Sequence, residues 1–346
     1  MVRALWFAAA FGVMSAILPD GGSDAAPTGR PEAGRFVDGT FTSDAGTRRW
    51  KLWVPTGYDA SRRHPLVVML HGCTQDADDL ARGTRVTEHA DRWGVLVLLP
   101  EQPESANPKK CWNWYDAAHQ KRDAGEPSLI AGMTRQAMGS WAVDSARVYV
   151  AGISAGAAMA ANVSVTYPDL YAAVGLHSGI AYGAAENVMQ GVSAMSNGAT
   201  DTAALARKGR EAMGERAREI PAIIIQGHAD PIVRPVNATQ TRDAWLAMNA
   251  LARGETPRKP ALEAGRLFQA DAGGLQFTRE CHGRRITERL CEVETLMVTG
   301  LGHAWSGGSK AGTFTDERGP DATVEMLRFL LAASMPARTA PNARAP

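Results

Sequence analysis

The residues best suited to chemistry in this 346-residue chain lie at 152–156 and read Gly-Ile-Ser-Ala-Gly. Residues 148–150 (VYV) precede this pentapeptide and an Ala- and Met-rich segment follows it, so the pattern predicts a strand, a tight turn and a helix. A serine at such a turn exposes its hydroxyl, and flanking glycines permit a strained backbone. We therefore predict that Ser154 is a nucleophile. The alternative is an ordinary glycine-rich turn between a strand and a helix.

A nucleophilic serine requires a base that accepts its proton and an acid that holds this base in the correct tautomer. Asp230 follows the apolar run 222–226, and His303 follows the run 294–299. In a parallel sheet both residues would lie at carboxyl ends of strands, where the active sites of such folds lie. The order Ser154, Asp230, His303 is that of α/β-hydrolases. Taken alone, Asp230 could cap a turn and His303 could be a solvated loop residue.

Two further histidines are rival candidates for the base. His228 lies beside Asp230, and His177 lies at the end of the apolar run 172–176. We interpret both as supporting or loop residues. His228 follows its strand within three residues and lies beside Asp230, and His177 lies next to the carboxyl edge of the predicted sheet.

Acyl transfer also requires two backbone N–H groups that stabilise the developing negative charge. Ala155 follows the serine at the predicted helix start and supplies one of them. We expect the other from the loop after the strand 66–70, where Gly72 permits a sharp turn and Cys73 carries the amide. We interpret His71 in the same loop as a residue that shapes the loop.

An even number of cysteines is typical of exported proteins with disulfide bonds. The four cysteines are Cys73, Cys111, Cys281 and Cys291. Cys281 and Cys291 flank a predicted hairpin at 277–290 with its tip near 282–283, so we pair them and leave Cys73 for Cys111. A metal site is the alternative, but the chain lacks a Cys-x-x-Cys motif and has no histidine pair of ligand spacing beside a cysteine. We expect no metal.

Aromatic residues cluster at 111–115 (CWNWY) in a chain with 7% aromatics, and Trp305 lies two residues after His303. A disulfide between Cys73 and Cys111 would bring the cluster to the proposed oxyanion loop. The predicted platform for an apolar acyl chain or polymer segment consists of Trp112, Trp114, Tyr115 and Trp305. The alternative is that Trp112 or Trp114 belongs to the core.

The remaining sequence predicts an α/β fold, because short apolar runs alternate with helical patterns after an antiparallel hairpin at 36–54. The predicted strands are 66–70, 95–99, 147–151, 172–176, 222–226 and 294–299. The predicted helices are 80–92, 127–141, 155–167, 241–251 and 321–332. We therefore expect a mostly parallel, doubly wound sheet with an antiparallel N-terminal edge. The net charge of +1 gives no sign of a nucleic-acid partner.

Composition also suggests domain boundaries. We predict a signal peptide at 1–25, with an uncleaved anchor or a mistaken start codon as the alternatives, and a Pro- and Gly-rich linker at 26–34. The catalytic domain is predicted at 35–335, followed by a disordered tail at 336–346. Residues 179–218 interrupt the α/β pattern with a Gly-, Ala-, Asn- and Met-rich stretch at 179–200 and a predicted charged helix at 201–218. We expect this insertion either to border the active site or to form a surface excursion.

Four segments resemble motifs of the extracellular poly(3-hydroxybutyrate) depolymerases and related feruloyl and acetylxylan esterases. They are 70–75 (LHGCTQ), 111–114 (CWNW), 152–156 (GISAG) and 302–308 (GHAWSGG). The resemblance spans about residues 36–335 and implies an α/β-hydrolase. The roles that it implies are Ser154 as nucleophile, Asp230 and His303 as its triad partners, Cys73 and Ala155 as oxyanion donors, and Trp305 as a substrate contact. Ser306 departs from the family pattern, which often has proline there.

The resemblance also implies a secreted or periplasmic serine esterase that cleaves short-chain polyhydroxyalkanoates or their oligomers and needs no cofactor. We expect an ester or polyester partner and no membrane association of the mature protein. We expect no separate substrate-binding domain after residue 332, and such a protein would suit soluble oligomers or small esters. The alternatives are a feruloyl or acetylxylan esterase and, from another class of protein, a non-catalytic binding module on the same fold.

Overall fold

The computed structural model describes residues 32–257 and 268–336. The predicted signal peptide (1–25), most of the predicted linker (26–34) and most of the predicted tail (336–346) lie outside the described residues. Among the helices that the structure describes, none is long and apolar enough to cross a membrane.

Ten strands of the described residues form one sheet in the order β1-β2-β4-β3-β5-β6-β7-β10-β9-β8. They are β1 (Arg35–Ser43), β2 (Gly46–Val54), β3 (His64–Leu70), β4 (Leu96–Pro100), β5 (Val143–Ile153), β6 (Ala173–His177), β7 (Ala222–Gly227), β8 (Phe268–Ala272), β9 (Leu275–Thr287) and β10 (Leu290–Val298). The six central strands are parallel, and the pairs at both edges are antiparallel. The predicted fold class is thereby confirmed. A short pair, β11 (Trp305–Ser306) and β12 (Thr315–Asp316), follows.

Helices cover both faces of this sheet. They are α1 (Ala77–Thr84), α2 (Val86–Trp93), α3 (Gly125–Ser140), α4 (Ala155–Thr166), α5 (Val188–Asn197), α6 (Thr202–Met213), α7 (Val236–Ala252) and α8 (Ala322–Leu330). Successive side chains of a strand point to opposite faces. Leu66 and Val68 belong to the core cluster that contains α3, α4 and α7, whereas Val67 belongs to the cluster on the other face, with α1, α2 and α8. This two-sided burial explains why the central strands are apolar without alternation.

Helix α4 lies at the centre of the molecule. All twelve of its residues are buried, which its small and apolar side chains permit. The residue that precedes it, Ser154, is thus held at a fixed depth at the carboxyl edge of the sheet.

The predicted helix 80–92 is interrupted, which corrects the sequence analysis. Arg85 adopts a left-handed conformation with φ of 53° and separates α1 from α2. Its guanidinium donates to the carbonyl of Gly307 at 3.1 Å and to Asp321 Oδ2 at 2.5 Å. The interruption therefore ties these helices to the segment that follows His303.

The hairpin predicted at 277–290 is present, but the predicted position of its turn is wrong. Thr287 pairs with Leu290, so the turn lies at 288–289 rather than at 282–283. The disulfide between Cys281 and Cys291 is formed across this hairpin, as predicted.

The insertion at 179–218 contains two helices, α5 and α6. The charged helix predicted at 201–218 corresponds to α6, which begins after the N-cap Asp201 and ends at Met213. Helix α5 was not predicted.

Candidate active site

Ser154 occupies the single position between β5 and α4. Its φ of 56° and ψ of −123° lie in a region that residues other than glycine rarely adopt, at a cost of about 1–3 kcal/mol. Its amide donates to the carbonyl of His177 at 2.9 Å, and its carbonyl accepts from Ala158 at 3.0 Å. The backbone is therefore held on both sides, and Ser154 lines a cavity of about 140 Å³.

The two glycines of the pentapeptide are required by close backbone packing. A Cβ at Gly152 would lie 2.5 Å from the carbonyl carbon of Gly156, and a Cβ at Gly156 would lie 2.1 Å from the carbonyl oxygen of Leu70. Any side chain at either position would separate α4 from the sheet. These contacts give the Gly-x-Ser-x-Gly pattern its physical meaning in this chain.

The three side chains selected from the sequence lie together. His303 Nε2 is 2.9 Å from Ser154 Oγ, and His303 Nδ1 is 2.8 Å from Asp230 Oδ2. His303 and Asp230 follow neighbouring parallel strands, β10 and β7, so the sheet itself brings their loops to the serine. The geometry allows His303 to accept the serine proton at Nε2 while its Nδ1–H donates to Asp230.

Asp230 is 2% exposed, and its carboxylate is held by several donors. The amides of Ile232 and Val233 both donate to Oδ1 at 2.9 Å, and Gln226 Nε2 donates to Oδ2 at 3.1 Å. Burial favours the neutral acid, but the hydrogen bond and charge of His303 and these two amides outweigh it and lower the pKa of Asp230. The site therefore holds a carboxylate toward His303 near neutral pH.

The loop after β3 places a second amide beside the serine. Cys73 and Ala155 both line the cavity with Ser154. Within residues 32–257 and 268–336, no protein group accepts the amide hydrogen of either residue. Gly72 N–H donates to Gln75 Oε1 at 2.9 Å, which fixes the loop, and the predicted disulfide from Cys73 to Cys111 is formed.

His71 lies beneath this loop and is fully buried. Its Nε2 accepts from the amide of Gln102 at 3.0 Å, so the proton is on Nδ1, which donates to the carbonyl of Gly72 at 2.7 Å. Burial lowers the pKa of His71 to about 4 and keeps it neutral. The carbonyl of Gly72 and the N–H of Cys73 belong to one planar peptide and point in opposite directions. A hydrogen bond to the carbonyl therefore aims the Cys73 amide away from His71.

Neither of the two rival histidines lies between Ser154 and Asp230, where His303 is placed. His228 is exposed. His177 is buried, and burial lowers its pKa to about 3. Its Nε2 accepts from the amide of Ser306 at 3.3 Å, a hydrogen bond that proline at this position could not donate. The departure from the family pattern thus supports the loop that carries His303.

The cavity beside Ser154 has an apolar lining that sequence reasoning largely missed. The lining includes Trp114, Ile153, Ile180, Met195, Ile232, Val233 and Phe314. Met195 belongs to α5, and Ile232 and Val233 directly follow the loop of Asp230. In the sequence, only the closeness of Ile232 and Val233 to Asp230 indicated that these two residues would line the cavity. The insertion thus borders the site, one of the two alternatives expected for it.

A family model described as Esterase PHB depolymerase matches residues 49–265, more than half of the chain. The chain belongs to this family. The matched region includes Ser154 and Asp230, and His303 lies beyond it.

Curated relatives of this esterase family extend the match. The chain is 29% identical over 291 residues to poly(3-hydroxyalkanoate) depolymerase C of Paucimonas lemoignei, covering 79% of this chain and 63% of that protein. It is 27% identical over 203 residues to feruloyl esterase B of Thermothelomyces thermophilus, covering 56% and 68% respectively. The chain thus spans less than two thirds of the depolymerase.

Among solved structures, an acetyl xylan esterase from Aspergillus awamori superimposes with a TM-score of 0.60 at 22% identity. The match covers 77% of this chain and 94% of that chain. It establishes that this member of the esterase family has the α/β-hydrolase fold.

The aromatic residues predicted as a substrate platform are only partly at the site. Trp114 lines the cavity, whereas Tyr115 packs beside it, edge to face at 5.6 Å, and is half-buried. Trp112 is fully buried against His71, which is the core position considered as an alternative.

Trp305 corrects the expectation of a substrate contact. Its ring is 1% exposed, stacks on His177 at 4.9 Å and donates Nε1–H to Thr323 at 3.1 Å. It supports the floor of the site instead. Phe314 is the aromatic ring that approaches His303 from the cavity side, edge to face at 6.2 Å.

Proposed function

We propose that this protein is a serine ester hydrolase. The observation that carries the proposal is the continuous chain of hydrogen bonds from Ser154 through His303 to Asp230 beside an apolar cavity. A non-catalytic binding module would have no need of this alignment.

The reaction proceeds through an acyl-enzyme. Ser154 Oγ attacks the ester carbonyl carbon as His303 Nε2 takes its proton, and the carbonyl electrons move to the oxygen. The amides of Cys73 and Ala155 stabilise that oxyanion. The intermediate collapses, the bond to the alcohol oxygen breaks, and His303 returns the proton to the leaving alkoxide. Water then attacks the acyl carbon as His303 Nε2 takes one of its protons. The bond from the acyl carbon to Ser154 Oγ breaks, His303 returns the proton to Oγ, and the acid leaves.

The preferred substrates in this proposal are short-chain polyhydroxyalkanoates or their oligomers. The cavity of about 140 Å³ is well below the size of about 300 Å³ at which pockets accept drug-sized ligands, so it suits a small acyl unit. Its lining holds no acidic or basic side chain besides the candidate base His303, which suits an uncharged ester. The family and the depolymerase relative support the same choice.

The second candidate is a feruloyl or acetylxylan esterase, which the similarity to feruloyl esterase B favours. Parallel assays of a hydroxybutyrate trimer and methyl ferulate distinguish the two. We expect the trimer to be cleaved and the ferulate to be poor, because a feruloyl ring needs a deeper pocket. Preference for methyl ferulate would reverse the assignment.

Secretion or export to the periplasm is part of the proposal. Two disulfide bonds within the described residues support it, since such bonds persist in oxidising compartments.

The variant Ser154→Ala tests the reaction directly. We expect turnover of p-nitrophenyl butyrate to fall by about 10⁶-fold, because the nucleophile is removed. A fluorophosphonate should label the parent protein and not the variant. Ser61→Ala, at an exposed turn, is the matched control and should keep full activity. Ester turnover that survives in Ser154→Ala at the parent rate would refute the proposed function.

A further inference from the structure

Three large apolar side chains of α5 face solvent. Val188, Met189 and Val192 are 58%, 83% and 59% exposed. We call these three residues the α5 ridge. Soluble proteins rarely leave such side chains clustered on a surface without a binding function.

The ridge also lies in a stretch without charge. Residues 187–200 contain no Asp, Glu, Lys or Arg, although charged residues make up 21% of the chain. A surface helix normally carries charged side chains on its solvent face. The exposed side of α5 is therefore suited to an uncharged, apolar partner.

The ridge leads to the catalytic cavity. Val188, Val192 and Met195 follow the spacing i, i+4, i+7, which aligns them along one side of the helix over about 10 Å. Met195 lines the cavity that contains Ser154. An extended chain whose ester lies at the serine could thus continue along the ridge.

Further exposed apolar side chains lie in the cavity lining and on the helix beside α5. Ile232 and Phe314 line the cavity and are 40% and 41% exposed, and Val236 is 38% exposed on the segment that contacts α5. Among the described residues, ten large apolar side chains are exposed, and the ridge and these three account for six of them. Exposed apolar surface is therefore concentrated on α5, on the helix that contacts it and at the cavity lining.

Helix α5 is firmly seated, so the ridge is a formed surface. Its N-cap Asn187 accepts from the amide of Gln190 at 3.0 Å. The carbonyl of Met195 accepts from Arg234 N–H at 2.9 Å and from Asn237 Nδ2 at 3.0 Å. A Cβ at Gly191 would lie 3.0 Å from the Cβ of Tyr115, which shows how closely the buried side of α5 packs.

We propose that the α5 ridge binds the surface of a neutral aliphatic polyester and feeds a chain segment to the cavity. This inference rests on the proposed function and assigns a role to the insertion. A polyester chain repeats the ester that the site would cleave, so the part lying beyond the cavity has the same apolar chemistry as the part inside it. Hydroxyl-rich polysaccharide would leave the ridge without hydrogen-bonding partners, and charged lipid headgroups would find none of opposite sign within residues 187–200.

The test replaces all three ridge residues in the variant Val188→Ser/Met189→Ser/Val192→Ser. Adsorption to poly(3-hydroxybutyrate) film is measured by depletion from solution, beside film erosion and turnover of soluble p-nitrophenyl butyrate. We expect adsorption and film erosion to fall by at least about tenfold, because three apolar contacts are lost. Turnover of the soluble ester should stay within about twofold, because no ridge residue lines the cavity.

Two further variants keep the test decisive. Met189→Ser alone should weaken adsorption by about threefold, and Met189→Leu should restore it, so the inference can be judged even if the triple variant does not fold. Ile286→Ser, at a 38% exposed position on β9, is the matched control and should adsorb like the parent.

The outcomes separate this inference from the proposed function. Ser154→Ala should still adsorb to the film, whereas failure of the parent to cleave soluble ester would refute the function and not the ridge. The ridge is refuted if the triple variant adsorbs like the parent. It is also refuted if the ridge mediates dimerisation in sedimentation experiments, or if it binds neutral phosphatidylcholine vesicles as strongly as polyester.

Discussion

The two sides of the catalytic cavity are built in different ways. One side, which we call the polar side, is formed by Ser154, His303 and the loop of Cys73. It comes from ends of parallel strands, and hydrogen bonds join Ser154 to His303 and His303 to the buried Asp230. The opposite side, which we call the apolar side, includes Met195 from the insertion and continues into the exposed α5 ridge.

This difference separates chemistry from substrate choice. On the polar side, backbone atoms approach so closely that even a methyl group at Gly156 would collide with Leu70. On the apolar side, the ridge side chains touch solvent and can change without disturbing the sheet. We therefore expect substitutions on the polar side to reduce turnover of every ester, and substitutions on the ridge to affect polymers alone.

The largest effect after loss of the nucleophile is expected for Asp230→Asn. The amide would still accept from Ile232 and Val233, so the fold should persist, but its NH₂ group could face His303 and favour the wrong imidazole tautomer. We expect kcat for p-nitrophenyl butyrate to fall by about 10⁴-fold.

Asp38→Asn is the matched control, since the Asp38 side chain is 66% exposed on β1, and it should be unaffected. If kcat of Asp230→Asn fell by less than tenfold, Asp230 would not orient the base. Catalysis would then depend less on the buried hydrogen bonds of the polar side than their geometry suggests.

A smaller loss is expected at His71, which we regard as a positioning residue. In His71→Ala the carbonyl of Gly72 loses its donor, so the Cys73 amide is no longer aimed at the oxyanion. We expect kcat to fall by about 10²-fold with KM nearly unchanged, as for the loss of one oxyanion donor.

His71→Asn provides the conservative comparison. Its side-chain NH₂ can donate to the same carbonyl, so we expect it to recover part of kcat. A matched rise in KM in both variants would indicate a merely structural role for His71.

Much of the polar side could be predicted from the sequence. Gly152 and Gly156, the ends of apolar strands and the spacing of Asp230 and His303 are local patterns, and parallel strands bring such loops together whatever lies between them. The structure brings these three side chains into contact, and it forms both predicted disulfides.

The features that sequence reasoning missed depend on contacts between distant segments. Trp305 is buried because it stacks on His177, 128 positions earlier, and no pattern near residue 305 reveals that partner. Helix α5 does not resemble a core helix in sequence, because three of its large apolar side chains face solvent and Gly191 provides its close contact. Arg85 interrupts a helical pattern because its partners Gly307 and Asp321 lie far along the chain.

The smallest predicted effect is a loss of folding stability at acidic pH, which involves His71 on the polar side of the cavity and not the α5 ridge. His71 is neutral in the folded protein with a pKa of about 4, whereas the unfolded chain would protonate near pH 6.5. The unfolded state therefore binds more protons between these values, and stability falls as the pH is lowered through this window. The pKa of Asp230 is lowered in the folded protein, so Asp230 affects the pH dependence of stability only below the ordinary pKa of an aspartate, near 4.

From pH 7 to pH 5 we expect His71 to reduce the free energy of unfolding by about 2 kcal/mol, measured by urea denaturation. His71→Asn cannot take up this proton and should lose about 2 kcal/mol less than the parent over the same range. The triple ridge variant should follow the parent, because the ridge contains no titratable group. If His71→Asn and the parent lost the same free energy of unfolding between pH 7 and pH 5, the oxyanion loop would not depend on a neutral His71. The two sides of the cavity would then differ in hydrogen bonding and exposure but not in electrostatics.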